Sequence, residues 1–230
     1  RQGAIEDADE LSPYLGVIWF TGDRAGALTS VQQNVLTAYL SGGGRLFLTG
    51  QNIARTLGGT PFFKEVLQAS LVDDSMASRY VVSGMAGDPI SAGIAAFGLN
   101  GPVPQASPDA LAPAGPKAAA FLQYNSILGK RYAGIRVDTG TYRVAYLGFG
   151  LEGVNGDAVR GALAQGILRW LKPSAAALKA RIEAVPANER ASLAAQAGRT
   201  LGVDSDDPDT RALRSLIDAS REVRRTVNFR

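Results

Sequence analysis

Apolar residues come along this chain in short runs, and two of the runs end alike. Tyr14-Leu-Gly-Val-Ile-Trp-Phe-Thr-Gly-Asp23 and Gly44-Arg-Leu-Phe-Leu-Thr-Gly-Gln-Asn52 are too brief for core helices, rich in β-branched or aromatic residues, and break into Thr-Gly plus a polar side chain. Both predict buried parallel strands. Thr29 to Ser41, between them, has helical periodicity: Ser30-Val-Gln-Gln33 fits a capping box, Val31, Val35 and Tyr39 share a face, and Gly42-Gly-Gly44 stops the helix. The pattern predicts strand, helix, strand, with both polar breaks at the carboxyl edge, where open α/β sheets bind ligands.

Downstream, Ile53 to Leu57 and Pro61 to Ala69 read as short helical pieces, the second opened by a proline whose missing N–H costs nothing there. Arg79 to Gly84 is a candidate strand. From Met85 to Pro116 the chain is dense in proline and glycine and predicts a long ordered excursion. Ala118 to Tyr124, Tyr132 to Asp138 and Tyr142 to Phe149 are three further short runs; turn chemistry between the last two predicts a hairpin, with Arg143 onward returning to the core. A helix follows, with Val159, Leu163, Ile167 and Trp170 or Leu171 as its buried stripe and Lys172-Pro173 as its stop. Beyond it the composition shifts to Ala, Arg and Asp with no strand signal, which divides the chain into an α/β domain, 1–173, and a helical appendage, 174–230, where Leu178 with Ile182, and Leu213 with Leu216 and Ile217, are sparse apolar positions.

Composition narrows the chemistry. The 230 residues include no His and no Cys, which removes the commonest general base, the thiol nucleophile, disulfides and nearly every zinc, copper or haem site. The 24 Lys/Arg nearly balance 21 Asp/Glu, so no nucleic-acid polyelectrolyte signature is present, and no run approaches the roughly 18 apolar residues of a membrane span. Gly148-Phe-Gly-Leu-Glu-Gly153 matches the dinucleotide fingerprint literally, but it sits at the last strand with no second strand after its helix, so it reads as a strand end and tight turn. Gly22-Asp-Arg-Ala-Gly26 lacks the Gly-Lys-Ser/Thr ending of a P-loop and reads as a turn. Thr49 stands where α/β hydrolases place a nucleophile, without a His to activate it, and nothing in the sequence sets Lys64 or Lys130 beside it. The carboxylates Asp23, Glu152, Asp88 and Asp109, with Asn52 and Asn155, supply oxygen ligands of the kind a hard cation takes; the alternative is that they cap turns and helices.

Taken in order, Val17-Ile-Trp-Phe-Thr-Gly-Asp23, Tyr39-Leu-Ser-Gly-Gly-Gly-Arg-Leu-Phe-Leu-Thr-Gly-Gln51, Gly87-Asp-Pro-Ile-Ser91, Tyr142-Arg-Val-Ala-Tyr-Leu-Gly-Phe-Gly-Leu-Glu152 and Ile167-Leu-Arg-Trp-Leu171 resemble class I glutamine amidotransferase-like domains, in the non-catalytic form appended to large secreted bacterial proteins such as peptidases. The likeness spans about Leu11 to Leu171. It implies a flavodoxin-like, three-layer open α/β sheet, mostly parallel with an antiparallel C-terminal hairpin, plus the helical appendage. It further implies that a strand, helix and strand normally preceding Tyr14 are missing, leaving the sheet open on one side. The family's nucleophile falls on Thr49 or Gly50 and its His has no counterpart, so glutaminase chemistry is out of reach and no cofactor is implied. The expected function is a non-catalytic interaction domain, extracellular or at the cell surface, whose partners are other domains of the same polypeptide or another protein, and neither nucleic acid nor membrane. Two alternatives use a crevice of Thr21, Gly22, Asp23, Gln51, Asn52, Glu152 and Asn155: a hydrolase with Glu152 or Asp23 as base for a water, and a carbohydrate or small-ligand module with Trp19 or Tyr124 as stacking surface.

Overall fold

The computed structural model describes residues 5–22, 28–74, 81–126 and 129–184. Asp23, the rest of the Gly22–Gly26 segment and the part of the expected helical appendage beyond residue 184 lie outside them. Nine strands are β1 (Val17–Gly22), β2 (Arg45–Gly50), β3 (Ala69–Asp73), β4 (Val81–Gly84), β5 (Phe97–Gly98), β6 (Ala110–Pro113), β7 (Ala118–Tyr124), β8 (Tyr132–Asp138) and β9 (Arg143–Leu147); the α-helices are α1 (Ser30–Ser41), α2 (Ile53–Leu57), α3 (Asp157–Leu171) and α4 (Ala175–Ala184). No described helix is long and apolar enough to cross a membrane.

The sheet runs β1-β2-β9-β8-β7-β4-β5, with β6 branching from β8 and carrying β3. Only β1–β2 and β2–β9 pair in parallel; the other described pairings are antiparallel. The expected mostly parallel, flavodoxin-like sheet is therefore wrong: this is a mixed, mostly antiparallel one. A parallel neighbour needs a crossover of about a dozen residues or more, and α1 supplies one between β1 and β2. The connection from β8 to β9 is Thr139–Tyr142 alone, which forces an antiparallel return. The Pro- and Gly-rich excursion holds β5 and β6, strands of two and four residues.

Period-two alternation in β2 and β9 feeds two cores. Leu46 and Leu48 join Val144 and Tyr146 under α1, α2 and the π-helical turn Phe62–Val66, while Phe47 joins Ala145 and Leu147 under α3, whose Leu163, Ile167 and Leu171 are buried. Helix α1 opens with a capping box one residue earlier than the sequence suggested: Thr29 accepts from Gln32 N–H and the Gln32 side chain accepts from Thr29 N–H. Val31 is exposed, whereas Val35 and Tyr39 are buried.

Strand β1 is an edge. Val17 and Trp19 pack on the α1-side core, but Ile18 and Phe20, on the other face, are 48% and 57% exposed, because α3 covers β2 and β9 and stops short of β1. The Phe20 ring stands edge-on to Phe47, centroids 6.3 Å apart, and Leu168 on α3 is also exposed. An apolar groove of about 270 Å³ between β1 and the end of α3 is lined by Leu15, Ile18, Leu168 and Leu171 among others.

Candidate functional site

Parallel pairing of β1, β2 and β9 brings their carboxyl ends together. Here the polar breaks meet: Gly50 N–H donates to Phe149 O (3.1 Å), and Gln51 N–H donates to Gly22 O (2.8 Å). Thr49 is fully buried. Its hydroxyl donates to Phe149 O (2.8 Å) and accepts from Leu151 N–H (3.0 Å), and the Thr21 hydroxyl donates to Thr49 O (3.5 Å). A Cβ on Gly50, whose φ is 153°, would stand 1.7 Å from Thr21 Oγ1, so the strand ends close to a degree that only glycine permits. The Thr49 hydroxyl is thus a brace between β2 and the turn after β9, with donor and acceptor both used.

The strained residue is further on. Asn52, at φ 60° in the left-handed region, makes the strand-to-helix elbow into α2, the kind of turn on which α/β hydrolases expose a nucleophile. Its carboxamide has no nucleophilic chemistry. Gln51 is buried and accepts from Ser107 N–H (2.8 Å). Gln105 accepts from Gly150 N–H (2.6 Å) and donates to Val103 O (3.1 Å). These amides from the 85–116 excursion close the rim from above.

Glu152 sits on the 3-10 turn Leu151–Gly153. It is half-buried, its carboxylate folded back over Gly150, and it forms no hydrogen bond or ion pair among the described residues. Thr21, Gly22, Gln51 and Asn52 belong to this rim; Asn155 does not, since its N–H donates to Gly98 O and its amide to Asn100. Asp23, the second candidate base, lies outside the described residues.

The remaining candidates are held elsewhere. Asp88 accepts from Ile90 and Ser91 N–H and pairs with Arg136 at 2.7 Å, the turn-capping role. Among the described residues no three acidic side chains gather as metal ligands. Trp19 packs on the α1-side core and Tyr124 is buried, which leaves no open ring for sugar stacking at Tyr124. Asp109 lies beneath the rim with no exposed surface: Oδ2 accepts from Ala54 N–H (2.9 Å), its N–H donates to Gly148 O (2.6 Å), and its carbonyl accepts from the Tyr124 hydroxyl (3.2 Å). Oδ1 and the neighbouring Tyr146 hydroxyl have no hydrogen-bond partner among the described residues. Burial pushes the Asp109 carboxyl up to about 7, against the pull of the Ala54 amide, and raises Tyr146 and Tyr124 well above the usual phenol range.

Gln105 and Ser107 were invisible as site residues from the sequence. They belong to a loop without periodicity, 45 and 56 positions from Gly150 and Gln51, the strand-end residues they bind, and no local signal marks a loop amide as buried.

No protein-family model matches the chain, and comparison with curated proteins yields no match. Among solved structures it is similar to the mmIFT52 N-terminal domain (TM-score 0.55, 17% identity, covering 74% of this chain and 83% of that one). It is also similar to two cytoplasmic proteins of Salmonella typhimurium, STM3548 (TM-score 0.50, 12% identity, 74% of this chain and 76% of that one) and STM1381 of strain LT2 (TM-score 0.50, 12% identity, 73% and 74%). At these identities the likeness is one of fold.

Proposed function

We propose that this chain is a non-catalytic interaction module, derived from an amidotransferase-like domain and working within a larger extracellular or surface protein. The observation that carries the reading is the Thr49 hydroxyl, tied to Phe149 O and Leu151 N–H: where the resembling enzymes would need a free nucleophile, this chain has a structural brace. The absence of His and Cys from all 230 residues supports it, as does the elbow residue being Asn52. The surface best suited to the interaction is β1, a sheet edge with no further strand among the described residues, beside the exposed Ile18, Phe20 and Leu168. An immunoblot of cells and culture medium with an antibody to this chain tests the proposal. Antigen far above 24.1 kDa, or a cleaved piece of something larger in the medium, is expected; a stable intracellular species near 24 kDa would overturn it.

A second reading rests on Glu152, whose half-buried carboxylate has no described partner and could serve as base for a water at the rim. It requires hydrolytic turnover that Glu152→Gln abolishes with the melting temperature unchanged, and an unaltered rate in that variant removes it.

A further inference from the structure

The opposite pole of the sheet, at the amino ends of β2 and β9, carries chemistry that the carboxyl rim lacks. An open cleft of about 420 Å³ lies between the β8–β9 turn, the end of α3 and the start of α4, and its lining includes Arg45, Arg143, Arg169, Lys172 and Asp138. Four cations against one carboxylate is an excess of three, equal to the formal excess of the entire 230-residue chain. The carboxylate does not answer the surplus. Asp138 Oδ2 accepts from Arg143 Nε (2.8 Å), and Oδ1 accepts from Gly140 N–H (3.0 Å).

Two of the cations are fixed and two are at liberty. Arg45 is buried, with Nη1 donating to the carbonyls of Gly43, Gly44 and Thr141. Arg143 is held by Asp138, by Trp170 O (2.8 Å) and by the Trp170 ring, 5.2 Å from its guanidinium carbon. Arg169 and Lys172 are exposed on the rim and have no side-chain hydrogen bond or ion pair among the described residues. Helix α4 starts at the same cleft, its first turn capped by the Ser174 hydroxyl accepting from Ala177 N–H, so the positive end of a ten-residue helix adds to the side-chain field. A rigid guanidinium floor with free cations at the mouth suits a compact multivalent anion, since guanidinium and ammonium groups together satisfy several oxygens of one phosphate.

We propose that this cleft binds a phosphate group carried on a small molecule, with Arg169 and Lys172 as the capturing side chains and Arg143 as the fixed one. The site is separate from the strand-end rim and borders the β1 groove, with which it shares Arg45, Lys172 and Pro173 in its lining; it does not rest on the interaction role. The test is calorimetric titration of the full chain with pyrophosphate and with inorganic phosphate at constant ionic strength, beside the R169A/K172A double variant. Both substitutions remove exposed side chains without described partners, so the melting temperature of the ligand-free variant is expected to match wild type. Saturable binding of pyrophosphate by wild type, at least tenfold weaker in the double variant and unchanged in Arg55→Ala, whose side chain is exposed and outside this cleft, is the expected result. Heats no larger than those of chloride at matched ionic strength would overturn the proposal, as would equal binding by the double variant or an equal loss in Arg55→Ala. Response only to vesicles containing phosphatidic acid would replace the small ligand with a lipid surface.

Discussion

The Thr49 hydroxyl and the Asp109 carboxyl are both buried polar groups, and they make opposite predictions. Thr49 is satisfied on both sides, so Thr49→Val strips Leu151 N–H of its acceptor and should cost about 1–3 kcal/mol, while Thr49→Ser keeps the brace and most of the stability; urea denaturation of the pair measures the difference. Asp109 is half-satisfied and is held near pKa 7 against the ordinary 3.8, chiefly by burial. A carboxyl with a raised folded-state pKa destabilises the fold as it ionises: its penalty is absent below about pH 4, grows up to about pH 7 and is constant beyond. The shift of about three pK units corresponds to a penalty on the order of 4 kcal/mol. Asn keeps an acceptor for Ala54 N–H and never ionises. The stability of Asp109→Asn relative to wild type should therefore climb between pH 4 and 7 and then flatten, read from unfolding curves across that range; a difference independent of pH would contradict a raised Asp109.

Among the elements, β1 combines a backbone edge that has no further strand among the described residues with two large exposed apolar side chains, Ile18 and Phe20, a combination that promotes pairing between chains. Phe20→Lys should lower concentration-dependent light scattering while changing stability by no more than about 0.5 kcal/mol, as for other exposed positions, and increased scattering would show that Phe20 shields the edge instead. The same strand shows how far a sequence can be read. The apolar runs at Val17–Phe20 and Leu46–Leu48, and the period of Leu163, Ile167 and Leu171, are local signals, and the strands and helix they predict are present. Strand direction is non-local. Nothing within Ala118–Tyr124 says that its neighbours are β8 and β4, both antiparallel, and the strands of two and four residues in the excursion are too short to register a period. The site follows the same rule: Thr49, Gly50 and Gln51 announced themselves at a strand end, whereas Gln105 and Ser107 reach it only through tertiary folding.

At the scale of the whole molecule, the described fold is one sheet with a core on each side, and β2 and β9 contribute alternate residues to both. Neither helical layer can leave without exposing a central strand, so the two cores are expected to melt together. The protein's two tryptophans allow this to be seen, because they are divided between the layers. Trp19 packs on the α1 side and Trp170 on the α3 side, where the guanidinium carbons of Arg136 and Arg143 stand 5.8 and 5.2 Å from its ring. Each indole is thus an optical label for a single layer. In Trp170→Phe the emission reports on the first core and in Trp19→Phe on the second; coincident midpoints mark one cooperative unit, and an earlier transition in one of them identifies the layer that yields first. Because Arg143 touches both Trp170 and the basic cleft, the second label also carries a signal that an anion entering that cleft would shift, allowing occupancy to be followed by emission alone.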